Sequence, residues 1–296
     1  MMLTTYVVLT LMLTTMAAPA STSRTSDDDI RVMSFNVRNG GAPDGPNHWT
    51  KRRELFFHTI DAFDPDLLGT QELLAEQADE MREHFKGYGF VGLGREDGKR
   101  AGEYCGMFYR SGCFELIDSG HFWLSEHPDV PGSVSWDSAL TRMASWVKLR
   151  DRRDPRKRAF LWINTHWDHV GEVARLESGK LIRAQLARLN DNGATPAIVT
   201  GDFNCFDTSD AYRAILGGRD DRPQLIDTYR ATHPRRRDDE ATFHGFSGKV
   251  EGSRIDFILH TPAFETVGAS IDRAKSDDGR CPSDHFPVTA RLRFAW

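Results

Sequence analysis

A carboxylate and an amide leave the end of one predicted strand two residues apart, in a pattern that suits metal or phosphate chemistry. Residues 197–199 are apolar and Gly201 closes the run, as in a buried strand that enters a tight turn. Asp202 and Asn204 follow directly, and residues i and i+2 of an extended backbone point to the same side. A carboxylate there needs a partner such as a metal ion, a histidine or a phosphate. The two residues could instead cap the turn, since both types hydrogen-bond to nearby backbone.

Acidic, amide or imidazole side chains occupy the ends or flanks of five further predicted strands. These side chains belong to Asn36, Gln71, Glu72, Asn164, His166, Asp256, Asp284 and His285. Glu72 alone could be an ordinary acid at a helix N-terminus. A solvated surface does not produce such a recurrence, so we expect the strand ends to meet at one site.

The chemistry of this residue set favours phosphate-ester hydrolysis. Carboxylate and amide oxygens without clustered thiolates or imidazoles suit Mg²⁺ or Mn²⁺. Such an ion polarises a phosphoryl oxygen, a carboxylate orients or deprotonates water, and imidazole and amide groups hold the charge on the phosphoryl oxygens. Neither a GxSxG elbow nor a Walker loop is present, so serine hydrolases and nucleoside triphosphatases have no support.

The elements that must position these residues alternate between strands and helices. Helices are predicted over 49–63, 73–85, 172–190 and 209–216, and strands over 30–38, 67–69, 88–93, 104–109, 114–122, 144–149, 159–165, 197–200, 254–259 and 287–294. Residues 225–229 are predicted as a strand or a turn. The basic run 150–158 contains Asp151, Asp154 and Pro155, which favour a solvated hairpin tip over a phosphate-binding patch.

Bulk composition is ordinary for a soluble globular protein, the length allows one large domain or two small ones, and the N-terminus indicates an export signal, with an uncleaved anchor as the alternative. The chain has 296 residues, 39% hydrophobic and 27% charged, with a net charge of −5, which gives no global basic field for nucleic acid. Residues 1–20 resemble a signal peptide, although no Lys or Arg precedes the apolar run. We therefore expect a disordered linker over 21–29, a catalytic domain over 30–296, and a secreted or periplasmic protein that makes no stable membrane insertion after cleavage.

Four cysteines are consistent with an oxidising compartment. Cys105 and Cys113 could face each other across a hairpin, and Cys205 and Cys281 could join two loops of one site. Four buried free thiols are the alternative.

In the order SFN, TQE, NTH, GDFN, RIDFIL and SDHFPV, the motifs resemble the endonuclease/exonuclease/phosphatase superfamily, which includes DNase I. The resemblance covers nearly the whole chain after residue 30. It implies a four-layer α/β sandwich, with two central, mostly antiparallel sheets flanked by helices, and divalent-metal phosphoesterase activity.

Roles for single residues follow from the resemblance. It implies that Asn36, Glu72 and Asp284 lie at the metal, with Glu72 the main ligand. Asp202 would position or activate water, while His166 and Asn204 would contact the phosphoryl group. His285 would contact the phosphate or act as the base, and Asp256 would orient it.

Residues 165–175 and 242–246 resemble bacterial and fungal members, often secreted, whose substrates are mostly unassigned. That similarity makes Arg142 and Asp168 candidates for substrate binding. His244 could also contact the substrate, or it could belong to an aromatic-rich edge strand. We expect a monomer that hydrolyses a small soluble ester such as a sugar or inositol phosphate. A secreted DNA or RNA nuclease is the alternative, which the net charge does not favour. The protein could also be a binding module without catalysis. The complete residue set argues against this alternative, because binding alone needs no water-activating group.

Overall fold

The computed structural model describes residues 29–218 and 223–295, which fold around two six-stranded sheets. The strands are β1 (Ile30–Asn36), β2 (Leu67–Gln71), β3 (Tyr88–Val91), β4 (Met107–Arg110), β5 (Phe114–Trp123), β6 (Met143–Asp151), β7 (Ala159–His166), β8 (Ala197–Asp202), β9 (Ile226–Asp227), β10 (Asp256–His260), β11 (Phe264–Ile271) and β12 (Val288–Phe294). The helices are α1 (Trp49–Phe63), α2 (Ala75–His84), α3 (Glu172–Leu189), α4 (Asp210–Leu216) and α5 (Thr228–Thr232).

The strand order is β11-β12-β1-β2-β4-β3 in the first sheet and β5-β6-β7-β8-β10-β9 in the second. One pair in each sheet is parallel, β1 with β2 and β7 with β8, and the other pairs are antiparallel. A parallel pair ends both of its strands at the same edge of the sheet. The carboxyl-terminal ends of β1 and β2 therefore lie together in the first sheet, and those of β7 and β8 lie together in the second.

The two sheets face each other across an apolar layer, and helices cover their outer faces. Val32, Leu67, Trp162, Ile198 and Ile258 belong to the core between the sheets. Residues of α1 and α2 pack with the outer face of the first sheet, and residues of α3 and α4 pack with that of the second. This arrangement confirms the predicted four-layer α/β sandwich.

Side chains on the inner face of each central strand change from apolar to polar toward one end. In β8, Ile198 lies in the inter-sheet core, and Thr200 and Asp202 follow on the same face because strand side chains alternate. In β1, Ser34 and Asn36 occupy the corresponding positions. The hydrophobic layer therefore ends where the candidate site begins.

The strand β11 was not predicted. Two further differences from the predictions have a local physical cause. Helix α2 begins at Ala75 instead of residue 73, because Glu72 has a positive φ of 59° and Leu73 forms an isolated bridge with Tyr104. Residues 225–229 divide between β9 and α5, because the Asp227 carboxylate caps the helix by accepting hydrogen bonds from two backbone N–H groups.

The basic run forms a hairpin tip as predicted, but its acidic residues are not solvated. Asp151 and Asp154 are buried, and each forms ion pairs with an arginine of the same run, Arg153 and Arg158. Arg153 also pairs with buried Asp66 at 3.1 Å. Part of the positive charge of the run is therefore neutralised within the fold.

The four cysteines are all buried free thiols, so neither of the two predicted pairings is formed, and the alternative of four buried thiols describes the structure. Cys113 lies in the inter-sheet core, whereas Cys105 packs in a separate cluster with Trp123 and Met143.

Asp29, the last residue of the predicted linker, contacts the described domain. Asp29 is buried and accepts hydrogen bonds from Arg293 at 3.0 and 2.8 Å, so it does not belong to the linker. The predicted signal peptide and the rest of the linker lie outside the described residues and stay predictions. Within residues 29–218 and 223–295, no helix is long and apolar enough to cross a membrane.

Candidate active site

Strand register places three titratable side chains side by side at the edge of the second sheet. Asp202 at the end of β8 is in register with His166 of β7 on one side and with Asp256 of β10 on the other. All three residues are buried. The antiparallel β10 begins where β8 ends, which explains why Asp256 lies at the start of its strand and Asp202 at the end.

Asn36 connects this group to the first sheet. Its Nδ2 donates to Glu72 Oε1 and to Asp202 Oδ2, both at 3.0 Å. Its Oδ1 accepts from the backbone N–H of Arg38 at 3.0 Å, which fixes the orientation of the amide. Asn36 therefore holds two carboxylates from different sheets in place and presents its nitrogen, instead of an oxygen, to Glu72.

His285 lies between two carboxylates. Its Nδ1 hydrogen-bonds Asp256 Oδ2 at 2.9 Å, and its Nε2 is 3.8 Å from Asp202 Oδ2. Burial opposes the charged imidazole, but Asp256 and Asp202 outweigh it and raise the pKa of His285 to about 10. Burial, followed by the charge of Asp256, raises the pKa of Asp202 above its usual range.

Asn204 and His166 form the adjoining wall. Asn204 Nδ2 donates to His166 Nε2 at 3.1 Å and to the backbone oxygen of Trp167 at 3.0 Å. Burial and the nearby cations Arg142 and Arg95 hold the pKa of His166 well below its ordinary value. His166 is therefore neutral, with Nε2 as the acceptor of the Asn204 hydrogen bond.

Three site residues adopt the left-handed backbone conformation that non-glycine residues rarely take. They are Arg38, Glu72 and Asn204, with φ of 58°, 59° and 48°. Each lies one or two residues beyond a strand end, and the sharp turn directs its side chain toward the site. Such strain concentrates at functional sites, where the surrounding structure holds it in place.

Glu72 and Asp284 form an anionic pair that an arginine partly neutralises. Arg38 Nη1 is 4.0 Å from Glu72 Oε2, and Arg38 Nε is 3.7 Å from Asp284 Oδ2. A protein cation close to two hard carboxylates indicates that this corner favours positive charge. The donor set fits Mg²⁺ or Mn²⁺, which take oxygen ligands.

Ligand atoms of Asp202, Asp256 and His285 also lie within 4.8 Å of one another, so a cation fits there by distance alone. The His285 imidazolium already supplies a positive charge between those two carboxylates. By charge, a cation therefore fits better at the Glu72 and Asp284 corner.

Arg142 directly precedes β6 and enters the site with its guanidinium already positioned. Its Nε lies 3.4 Å from Asp168 Oδ2, and its Nη2 lies 3.0 Å from His169 Nδ1. Its Nη1 is buried and has no hydrogen-bond partner in the described chain. A buried guanidinium with an unused donor is suited to an anionic ligand.

A cavity of about 550 Å³ unites these groups. Of the predicted residues, its lining includes Glu72, Arg142, His166, Asp202, Asn204, Asp284 and His285. Asn36 and Asp256 lie behind the wall, hydrogen-bonded to lining residues.

The structure does not bring two predicted substrate-binding residues to the cavity. Asp168 accepts hydrogen bonds from Arg142 and from the backbone N–H groups of Val170 and Gly171, so it positions Arg142 from behind. His244 packs on Phe286, and its backbone N–H donates to the backbone oxygen of Asp284.

Four lining residues with polar or charged side chains were absent from the predicted set: Arg38, Asn39, Glu103 and His169. Arg38 follows Asn36 by two positions, and the spacing rule used for Asp202 and Asn204 could have found it. Glu103 precedes a strand instead of ending one, so no strand-end pattern pointed to it.

Comparison with known proteins agrees with this geometry. The model of the Endonuclease/Exonuclease/phosphatase family matches residues 33–285, which confirms the resemblance. The chain belongs to this family, whose members are hydrolases acting on phosphate esters. No curated protein sequence gives a significant match to the chain.

Solved structures from two Bacteroides species are similar over nearly their whole length. A family protein from Bacteroides thetaiotaomicron is 34% identical, with 90% of this chain and 98% of that chain covered and a TM-score of 0.80. One from Bacteroides vulgatus is 35% identical, with coverage of 90% and 99% and a TM-score of 0.80. A mannosyl-6-phosphatase from Bacteroides thetaiotaomicron is 34% identical, with coverage of 90% and 100% and a TM-score of 0.80.

Proposed function

We propose that this protein is a divalent-metal-dependent phosphatase that removes the phosphate group from a sugar phosphate. One observation carries the proposal: a single cavity joins the Glu72 and Asp284 carboxylates to the group of Asp202, Asn204 and His285. The similarity to a mannosyl-6-phosphatase supports a sugar phosphate as the substrate. The net charge of −5 favours a small ester over a long polyanion.

Glu72 and Asp284 would hold the metal, and Asn36 would keep Glu72 in place. When bound, Mg²⁺ or Mn²⁺ supplies polarisation of the phosphoryl oxygen and stabilises the leaving oxyanion. Arg38 would share the same corner with the metal.

The remaining roles follow from the hydrogen bonds. Asp202 is held through both oxygens, by the Asn36 amide and by the backbone N–H of Asn204, so it can orient and deprotonate the attacking water. Asn204, His166 and His285 surround the position of the phosphoryl oxygens and stabilise their growing charge. Asp256 keeps His285 aimed into the cavity through Nδ1.

The proposal is tested by phosphate release from mannose 6-phosphate with Mg²⁺ or Mn²⁺. Asp202→Asn and His285→Ala should each lower kcat by about a hundredfold or more, because each removes a group that acts in the transition state. EDTA should abolish activity, and either metal should restore it. The exposed control Asp118→Asn should behave as wild type.

Melting temperatures near wild type would show that the losses are not caused by unfolding. Full activity of Asp202→Asn, or activity that survives EDTA, would contradict the mechanism. Hydrolysis of DNA or RNA oligonucleotides in preference to sugar phosphates would contradict the substrate class and establish the nuclease alternative.

A further inference from the structure

A second and larger cavity adjoins the catalytic one. Its volume is about 790 Å³, and it shares Asn204, Phe243 and Ile255 with the catalytic cavity. The two spaces therefore adjoin along these three residues. A ligand whose phosphate lies beside Asn204 can extend across Phe243 into the second cavity.

Exposed apolar side chains line this extension. Phe206 is 55% exposed, Phe243 is 52% exposed and Val173 is 50% exposed, and all three line the cavity. Phe206 comes two residues after Asn204, while Cys205 between them packs inward. Exposed aromatic residues gathered beside a candidate active site indicate a binding surface.

The charges of the extension oppose a polyanion. Glu172, Asp210 and Glu251 line it together with one cation, Arg175. Asp210 also pairs with Arg213, which neutralises part of its charge. The net charge of the residues that line the extension is still negative. Phosphate-rich ligands such as nucleic acid strands would be repelled, whereas carboxylates and a guanidinium readily hydrogen-bond neutral hydroxyl groups.

We infer that this extension binds the second sugar unit of a phosphorylated oligosaccharide, whose phosphate-bearing sugar lies in the catalytic cavity. The inference rests on the proposed function. A pyranose ring has a C–H face that packs on an aromatic ring and a rim of hydroxyl groups that polar side chains can bind. Phe206 supplies the aromatic face beyond the catalytic cavity, and Glu172, Arg175 and Glu251 supply polar groups around it.

The experiment compares mannose 6-phosphate with a mannose disaccharide that carries the same phosphate on its terminal sugar. Wild type should show a kcat/KM for the disaccharide about tenfold higher, the equivalent of one aromatic contact. Phe206→Ala should remove this preference and leave the rate with mannose 6-phosphate unchanged. Phe206→Trp should retain the preference, and Ile117→Ala, an exposed apolar control on β5, should have no effect.

Saturation-transfer NMR with the unphosphorylated disaccharide tests the extension without turnover. Wild type should bind the disaccharide, and Phe206→Ala should lose the signal. Equal kcat/KM for both substrates, or an absence of disaccharide binding, would overturn the inference even if mannose 6-phosphate is hydrolysed. If neither phosphate is hydrolysed, the proposed function fails, and the NMR result still decides whether a sugar occupies the extension.

Discussion

Arg38 illustrates how one residue can balance the charge of a metal site. Its guanidinium forms two hydrogen bonds with Asp44, at 2.9 and 2.8 Å, and lies within 4.0 Å of Glu72 and Asp284. Asp44 therefore holds the cation beside the two proposed metal ligands. A fixed positive charge there lowers the attraction of the site for a second cation.

We expect Arg38→Gln to bind Mn²⁺ about fivefold more tightly than wild type, because an ion pair at a partly exposed site contributes up to about 1 kcal/mol. Isothermal titration calorimetry measures this change without reference to activity. Arg53→Gln on α1, whose arginine pairs with Glu54 and Glu80, is the control. Unchanged or weaker Mn²⁺ binding by Arg38→Gln would show that the guanidinium does not compete with the metal.

At the scale of the elements, close contact between two sheets aligns the strand ends. Gln71 of β2 donates to Asn164 of β7 at 2.8 Å, across the space between the sheets. Asn164 in turn donates to the backbone oxygens of Thr70 and Gly106 at 2.8 and 3.0 Å. This buried polar layer lies between the apolar core and the candidate site, and it fixes one sheet relative to the other.

Gly69 permits that close approach. A Cβ at this position would lie 2.6 Å from Thr200 Oγ1 and 2.7 Å from Asn164 Oδ1. We expect Gly69→Ala to lower the free energy of unfolding by about 1–3 kcal/mol, because overpacking forces buried neighbours apart. Urea denaturation gives the value.

Gly87→Ala is the matched control, since a Cβ there has nothing within 4 Å. It should leave the free energy of unfolding nearly unchanged. If the two variants had equal free energies of unfolding, the polar layer would accommodate the added methyl group without loss of stability. It would then not fix one sheet relative to the other.

At the scale of the whole molecule, His260 connects the two sheets at the end opposite the site. It lies on β10, and its Nε2 is 2.7 Å from Thr266 Oγ1 on β11 of the other sheet. Its Nδ1 lies 2.8 Å from the Thr261 backbone oxygen. Burial lowers the pKa of His260 below its ordinary value, so the folded protein keeps the ring neutral.

Stability should therefore fall as the pH drops below the ordinary histidine pKa of about 6.5, because the unfolded chain takes up the proton first. Denaturant unfolding at a series of pH values between about 7.5 and about 5 measures the slope of the free energy of unfolding against pH. His260→Gln should reduce the slope, and the exposed control His58→Gln on α1 should not. An unchanged slope in His260→Gln would show that His260 takes no part in this pH dependence.

Periodic patterns in the sequence predicted much of the fold. Helix α1 has its predicted bounds, and every predicted strand is present with ends shifted by a few residues. Predictions were wrong where a side chain capped the backbone or a turn adopted a positive φ, as at Asp227 and Glu72. Such contacts depend on a single local geometry and leave no periodic signal.

The sequence by itself determined which residues stand at strand ends, because alternation along a strand is a local property of the chain. Asp202, Asp256 and His285 could therefore be selected without coordinates. Only the tertiary structure decided that Arg38 and Glu103 line the same cavity, that His244 lies outside it, and that a second cavity adjoins it at Phe243. Those facts depend on how the two sheets and their loops pack against each other, because this packing brings together residues that are far apart in the chain.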